Sequence, residues 1–295
     1  MNQAPSLDIR NEAPDAGCAT FGNGEALPPL DGHVAIVTGS ATGIGRAIAE
    51  KLAARGASVV LNYRSDKTAA LDAIRLINEA AGADSDAPRA VAVQGDTGDL
   101  ASHERLIATA LENFGRLDLL VNNAGTGIRK PFLETTPADW DRVMTPNLKG
   151  ACFLAQAAAR AMLTNAARRN GAAGAGDVIG KIINISSVHE TRAMMGNSVY
   201  CISKAGMKML TEALALELAP SGIAVIGVSP GAILTEATKR ILADDAYKQK
   251  TLAKIPARRI GAAADVAEAV AFFASPQCRY VTGSTLTIDG GMLLL

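Results

Sequence analysis

An α/β fold built as a single-domain, doubly wound parallel sheet is the class this sequence predicts, and three observations predict it. From Gly32 onward, short apolar runs alternate with longer helical segments. The runs are continuously apolar rather than alternating, the pattern of strands buried on both faces. A glycine-rich turn, Thr38-Gly39-Ser40-Ala41-Thr42-Gly43-Ile44-Gly45, joins the first run to the first helix. Glycines in that position let a backbone approach a pyrophosphate at a helix amino terminus. Right-handed crossovers wind such βαβ units onto both faces of one sheet, the Rossmann arrangement.

The first strand is His33 to Val37, the first helix Ala47 to Arg55 and the second strand Ala57 to Leu61. The rhythm continues through the strand Ala90 to Val93, the helix Ser102 to Asn113 and the strand Leu117 to Val121. Thr136-Pro137-Ala138-Asp139 starts a helix, with Thr136 as cap and Pro137 at the first position. That helix contains Pro146, which removes a hydrogen bond and predicts a kink beside Asn147. Asn165 to Gly180, rich in Ala and Gly with the Arg168-Arg169 pair, reads as a helix end running into an inserted, flexible surface loop. Strands Lys181 to Ile185 and Ile223 to Val228 follow, and Glu236 to Lys254 is polar with a helical pattern.

With 295 residues, 48% of them hydrophobic, the chain can bury a large core. Residues 31–295 read as one dinucleotide-binding catalytic domain. Residues 1–30 carry Pro5, Pro14, Pro28 and Pro29 without periodicity and read as a mobile amino-terminal extension. That segment lacks the basic start and apolar centre of a secretory signal, so residence in the cytoplasm is expected. Lys plus Arg and Asp plus Glu are balanced at 29 each, which leaves no electrostatic footprint for nucleic acid or an anionic membrane. Runs such as Val34 to Val37 fall far short of the roughly 20 residues of a membrane span. A small, neutral or weakly charged substrate fits this balance. Cys18, Cys152, Cys201 and Cys278 are scattered with no Cys-x-x-Cys pair, so they suggest incidental or buried thiols rather than a disulfide framework or a metal site.

Tyr200 and Lys204 are four residues apart in Val199-Tyr200-Cys201-Ile202-Ser203-Lys204, with Ser187 upstream in Asn184-Ile185-Ser186-Ser187. On a helix, positions i and i+4 share a face. A free phenol with a pKa of about 10 is a poor acid or base at neutral pH, and a neighbouring ammonium favours its ionised form. Ser187 is then placed to hold a substrate oxygen. Taken singly, each has a plainer reading: a solvated Tyr/Lys pair, a serine ending a strand, a turn at Asn122-Asn123.

In combination, Thr38-Gly39-x-x-x-Gly43-x-Gly45, Asn122-Asn123-Ala124-Gly125, Ser187, Tyr200-x-x-x-Lys204 and Pro230-Gly231 resemble the short-chain dehydrogenase/reductase family in order and spacing, across residues 31–292. The resemblance implies that Tyr200 is the general acid/base, that Lys204 lowers its pKa and holds the nicotinamide ribose, that Ser187 orients the carbonyl or carbinol, and that Asn147 completes a proton relay through water. It further implies that the cofactor lies against Gly39, Ser40, Thr42, Gly43, Ile44 and Gly45. Asn123, Ala124 and Gly125 would sit at the adenosine-side ribose and Asp96-Thr97 at the adenine. Pro230, Gly231, Ile233 and Thr235 would sit at the nicotinamide end. Pro146, directly before Asn147, departs from the family pattern. A homotetramer and a mobile lid at Glu236 to Lys254 are also implied.

The second strand runs out into Asn62-Tyr63-Arg64-Ser65, where an NAD-specific site offers a carboxylate to the ribose hydroxyls. Arg64 instead suits a 2′-phosphate, with Tyr63 and Ser65 beside it, so NADP is the preferred expectation and NAD the other. The alternative is that Arg64 is a solvated charge. Val188-His189-Glu190, Tyr280-Val281-Thr282-Gly283 and Asp289-Gly290-Gly291-Met292 resemble the bacterial glucose 1-dehydrogenases of the family. His189 and Glu190 are therefore candidate ligands of a sugar or polyol, unless Glu190 pairs with Arg192. Met194-Met195 would suit a 3-oxoacyl thioester or another ketone. A non-catalytic nicotinamide sensor or scaffold is the third class, and the presence of both Tyr200 and Lys204 argues against it.

Overall fold

The computed structural model describes residues 29–83, 87–168 and 177–295. The expected extension at residues 1–30 therefore lies, up to Pro28, outside the described residues, as do Cys18 and residues 169–176 of the expected loop at 165–180. The order is β1 Val34–Val37, α1 Gly43–Ala54, β2 Ser58–Tyr63, α2 Lys67–Ala80, β3 Ala90–Gln94, α3 Leu100–Phe114, β4 Leu119–Asn122, α4 Pro137–Met144, α5 Ala151–Arg168, β5 Gly180–Ile185, α6 Ser198–Leu218 and β6 Ile223–Pro230. There follow β7 Ile233–Leu234, α7 Glu236–Leu242, α8 Asp245–Leu252, β8 Gly261–Ala262, α9 Ala263–Ala274 and β9 Thr285–Ile288.

Seven strands form one parallel sheet in the order β3-β2-β1-β4-β5-β6-β9. Its strands are continuously apolar because neighbouring side chains enter opposite cores. Val37, Leu61, Val121 and Ile183 pack with Ile48 and Leu52 of α1 and Val266 and Val270 of α9. Their neighbours Ile36, Val60, Leu120 and Ile182 pack with Leu106 of α3 and Leu154 and Met162 of α5. Lys181, buried at the start of β5, donates from Nζ to the carbonyls of Phe273, Ser275 and Cys278 at 2.7 Å each and so caps the end of α9. The winding direction reverses between β1 and β4, which opens a crevice at the carboxyl ends of the strands.

Thr136 and Asp139 form the predicted helix start as a reciprocal capping box, with Pro137 in the first turn of α4. The distortion expected at Pro146 is a π-helical segment over Thr145–Gly150 between α4 and α5. The polar segment after Thr235 divides into α7 and α8, because Asp244 caps a new helix by accepting from Tyr247 N at 2.9 Å. The helix before the 165–180 loop persists to Arg168. Helices α2 and α9 lie outside the segments singled out in the sequence. Among the described residues no helix is long and apolar enough to cross a membrane.

Candidate functional site

The residues predicted to hold a dinucleotide are brought together at the crevice. Thr38, directly after β1, donates to Val121 O and accepts from the backbone N–H of both Asn123 and Ala124 at 2.9 Å. The Asn123 amide returns two bonds, to the carbonyls of Thr38 (2.8 Å) and Gly39 (3.1 Å). On the other side, Asn62 accepts from Gly39 N at 3.2 Å and donates to Gly95 O at 2.9 Å. The turns after β1, β2, β3 and β4 are thus one hydrogen-bonded unit.

A cavity of about 270 Å³ opens on this unit, lined among others by Gly39, Thr42, Tyr63, Arg64, Asp96 and Gly125, with Ser65, Thr97, Asn123 and Ala124 also on its wall. The residues fit a dinucleotide. Gly39 has φ +60°, and a Cβ there would meet Ala124 Cα at 3.0 Å. Thr42, at the amino end of α1, makes no side-chain capping bond among the described residues, so the first N–H groups of α1 are left for an anion. Gly45 and Ile44 face inward: a Cβ on Gly45 would meet Gly39 O and Asn123 Nδ2 at 2.4 Å, and Ile44 packs on the core. Gly43 lies opposite Thr235, 3.4 Å from where its Cβ would be, which sets the segment after β6 over the phosphate turn. In that segment Pro230 and Ile233 are buried, and Gly231 is pressed against Asp289.

Ser40 corrects the sequence reading. It is fully buried, its hydroxyl donates to Val37 O at 2.7 Å and accepts from Asn62 N at 3.0 Å, so its side chain builds the turn instead of facing the cavity. Asn62, Ala41, Asp66, Gly95 and Thr126 line the cavity without having been singled out. An asparagine inside the apolar run Val59 to Leu61-Asn62 was the available signal, since a buried amide requires partners.

At the end of β5 the two serines separate. Ser186 donates to Lys204 O at 3.2 Å, whereas the Ser187 hydroxyl accepts from His189 N at 3.2 Å and is near enough to the Tyr200 phenol to lower its pKa. Ser187 is therefore the serine that meets the tyrosine. The Lys204 ammonium lies 5.8 Å from the Tyr200 ring centroid and donates to Ile185 O at 2.9 Å. Burial pushes the Tyr200 phenol above its ordinary value, opposed by the Ser187 hydrogen bond. The expected dominance of Lys204 over the Tyr200 ionisation is thus replaced by a balance in which desolvation is the largest cause. Lys204 is itself pulled down to about 8 by burial, with Glu190 opposing that shift.

Asn147, wholly buried in the π-helical segment, donates to Thr126 O at 2.8 Å and Ser203 Oγ at 3.0 Å and accepts from Thr126 N at 2.7 Å. Asn147 Oδ1 and Lys204 Nζ both flank Gly125, 3.3 and 3.8 Å from where a Cβ would be. His189 stands edge-on to Tyr200 with ring centroids 6.3 Å apart, and its Nδ1 pairs with Arg192 O at 2.9 Å. The alternative, a Glu190–Arg192 pair, is not formed: Arg192 Nη1 donates to Met292 O at 2.8 Å. Burial raises the Glu190 carboxyl, opposed by Ser186 and by the charges of Lys208 and Lys204, and its Oε2 is buried without a hydrogen-bond partner among the described residues.

The chain and its fold are matched by known proteins. A family model described as enoyl-(acyl carrier protein) reductase matches residues 39–293. The chain is 40% identical to glucose 1-dehydrogenase 2 of Bacillus subtilis, over 90% of this chain and 96% of that protein. It is also 40% identical to 3beta-hydroxysteroid dehydrogenase 1 of Eggerthella lenta, over 90% and 95% of the two chains. A crystal structure of a gluconate 5-dehydrogenase from Burkholderia cenocepacia, in complex with NADP and tartrate, superposes with a TM-score of 0.79 at 33% identity, covering 90% of this chain and 97% of that one. The chain belongs to the short-chain dehydrogenase/reductase family. It is an NAD(P)-dependent oxidoreductase acting on CH–OH groups.

The depressed Lys204 pKa has a consequence for stability. Between about 8, the folded value, and 10.5, the ordinary value, the unfolded chain holds this proton more tightly than the folded one. The Lys204 contribution to stability therefore rises with pH across that window. Urea titrations at pH 8 and pH 10 are expected to show a smaller gain for Lys204→Met than for the wild type; equal gains would contradict the burial assigned to Lys204.

Proposed function

We propose that the protein interconverts a sugar or polyol CH–OH group and its carbonyl, in the manner of a glucose 1-dehydrogenase, with NADP preferred over NAD. The observation that carries this reading is the meeting of the Tyr200 phenol with Ser187 beside the buried Lys204 ammonium. When bound, the nicotinamide cofactor supplies or accepts the hydride. In the oxidative direction Ser187 holds the substrate oxygen, and ionised Tyr200 takes the hydroxyl proton as the hydride leaves the carbon; reduction reverses both transfers. Lys204 holds the nicotinamide ribose, and Ser187 opposes the desolvation that keeps Tyr200 protonated. Asn147 Oδ1, which accepts from Thr126 N, keeps a second lone pair as an acceptor for a relay water.

Sugar recognition draws on His189. With Nδ1–H donated to Arg192 O, its Nε2 is an acceptor for a substrate hydroxyl. The names of the Bacillus and Burkholderia relatives support the same class. A ketone reading has its own support in an apolar rim: Leu133 is 96% and Met195 94% exposed, on segments joined where Lys130 N donates to Gly196 O at 2.7 Å. Helices α7 and α8, which bury no residue, serve as the lid over the substrate.

For the cofactor, Arg64 lines the cavity with its side chain 63% exposed and only a 4.0 Å contact to Asp96. Of the carboxylates that line the cavity, Asp66 accepts from Ala69 N at 2.9 Å and Asp96 from Gly98 N at 2.8 Å. Arg64 is therefore the group left for a 2′-phosphate. The active assembly is a homotetramer, supported by exposed apolar stripes: Ile202, Met209 and Leu216 on α6, Phe153 and Leu163 on α5, and Leu286, Leu294 and Leu295 at the chain end. It works in the cytoplasm, where free NADP is available, and cell fractionation checks that placement.

Three measurements test this reading. Aldoses and polyols are expected to be turned over, with Tyr200→Phe slower by about 10²–10⁴-fold and unchanged in NADPH binding. Turnover of acetoacetyl thioesters or ketosteroids with none of aldoses would favour the ketone reading. Arg64→Ala is expected to weaken NADPH binding by about 10–100-fold and leave NADH unchanged, followed by cofactor fluorescence; equal effects would make Arg64 a surface charge. Light scattering should give four chains per particle, and a monomer would contradict the assembly.

A further inference from the structure

His189 stands on a short 3₁₀ turn over Val188–Glu190, directly after Ser187, and its backbone N–H donates to the Ser187 hydroxyl at 3.2 Å. Its ring lies edge-on to Tyr200, with centroids 6.3 Å apart, and its Nδ1 is paired with Arg192 O at 2.9 Å. A carbonyl can only accept, so this bond fixes the proton on Nδ1 and leaves Nε2 an acceptor in the neutral ring. The direction of Nε2 therefore depends on where the Arg192 carbonyl is kept. Arg192 N donates to Val188 O at 3.0 Å, which closes the turn. Two residues on, Met194 N reaches only the Cys201 sulfur at 3.4 Å, a weak acceptor. The Arg192 side chain makes the longer connection: Nη1 donates to Met292 O at 2.8 Å, across 100 residues of sequence. Met292 opens a 3₁₀ turn over Met292–Leu294 that Asp289 organises by accepting from Gly291 N and Leu293 N at 2.8 Å each. Just before it, Gly290 O accepts from Ala257 N at 3.0 Å and Ile288 O from Gly231 N at 2.9 Å. The anchor of Arg192 is thus tied to the segments that follow α8 and β6.

We infer that Arg192 is a positioning residue for His189: its guanidinium ties the turn after Ser187 to the Met292 turn, and its carbonyl thereby holds the imidazole with Nε2 as the acceptor beside Tyr200. The inference rests on the reading of His189 as a substrate ligand and adds the group that aims it. The contacts form one continuous chain, from Met292 O to the Arg192 guanidinium and from the Arg192 carbonyl to His189 Nδ1. Each link is a hydrogen bond of ordinary length. An imidazole without the carbonyl would exchange its proton between the two nitrogens and turn about χ2, presenting a donor in part of its states. A substrate hydroxyl would then lose a fixed acceptor.

The test is Arg192→Met, which keeps an unbranched stem and removes the donors. Slow exchange of the imidazole C2 hydrogen, read by mass spectrometry, needs no substrate and follows each of the three histidines separately. His189 is expected to exchange about five-fold faster in the variant, with His103, which pairs with Thr97 O at 2.8 Å, unchanged. The KM for an aldose is expected to rise about five-fold, with kcat and NADPH binding little changed. In a His189→Ala background the same substitution is expected to alter KM by less than about two-fold. Arg192→Lys, which can still donate to Met292 O, is expected to stay near the wild type in both readouts. Unchanged exchange at His189, or equal acceleration at His103, would overturn the positioning role. So would a full KM rise in the His189→Ala background, which would make Arg192 a direct substrate ligand. A wild type that turns over no aldose or polyol fails the sugar reading alone, because the exchange measurement still decides whether Arg192 holds His189.

Discussion

The Thr38 hydroxyl is the contact on which the site depends. It bonds one carbonyl of β4 and two N–H groups of the turn that follows, at the point where the sheet changes winding direction. A parallel sheet leaves the first backbone groups beyond its strands without partners, and a buried unpaired group is costly. Here Thr38, Asn123 and Asn62 satisfy those groups among themselves. The glycine turn is thereby held close to Ala124, and the amino end of α1 is left facing the cavity. Cofactor-binding and fold-stabilising bonds are in this sense the same bonds.

The chemistry sits in the opposite electrostatic condition. Lys204 and Tyr200 are both burdened by desolvation, which disfavours the charged lysine and the charged phenolate alike. At Tyr200 that burden is opposed by Ser187, and at Lys204 by the charge of Glu190. A site of this kind trades folding stability for groups that change protonation at working pH.

Much of this was legible in the sequence. The winding of the sheet was, because Val34 to Val37 and Ile182 to Ile185 are apolar at every face-alternating position except Asn184. The distortion at Pro146 was, because proline cannot donate in a helix. Ser40 was misread because a serine in a phosphate turn has the same sequence context whether its hydroxyl points to ligand or to Val37 O. The alternative pairing of Glu190 with Arg192 fails because proximity along the chain does not decide the partner: Arg192 reaches Met292 O instead. Helix α2 carries a legible signal, Asp66 as cap and Ala70, Ala73 and Ile77 on one face, that the strand-centred reading passed over.

The central claim is that one crevice at the carboxyl edge of the sheet seats the cofactor so that its nicotinamide meets Tyr200 and Ser187. A crystal structure of the complex with NADP tests it directly. The account predicts the pyrophosphate at the amino end of α1, the 2′-phosphate on Arg64 and the nicotinamide beside Tyr200. Cofactor bound in the reverse sense, or away from the Thr38–Gly45 turn, would contradict it.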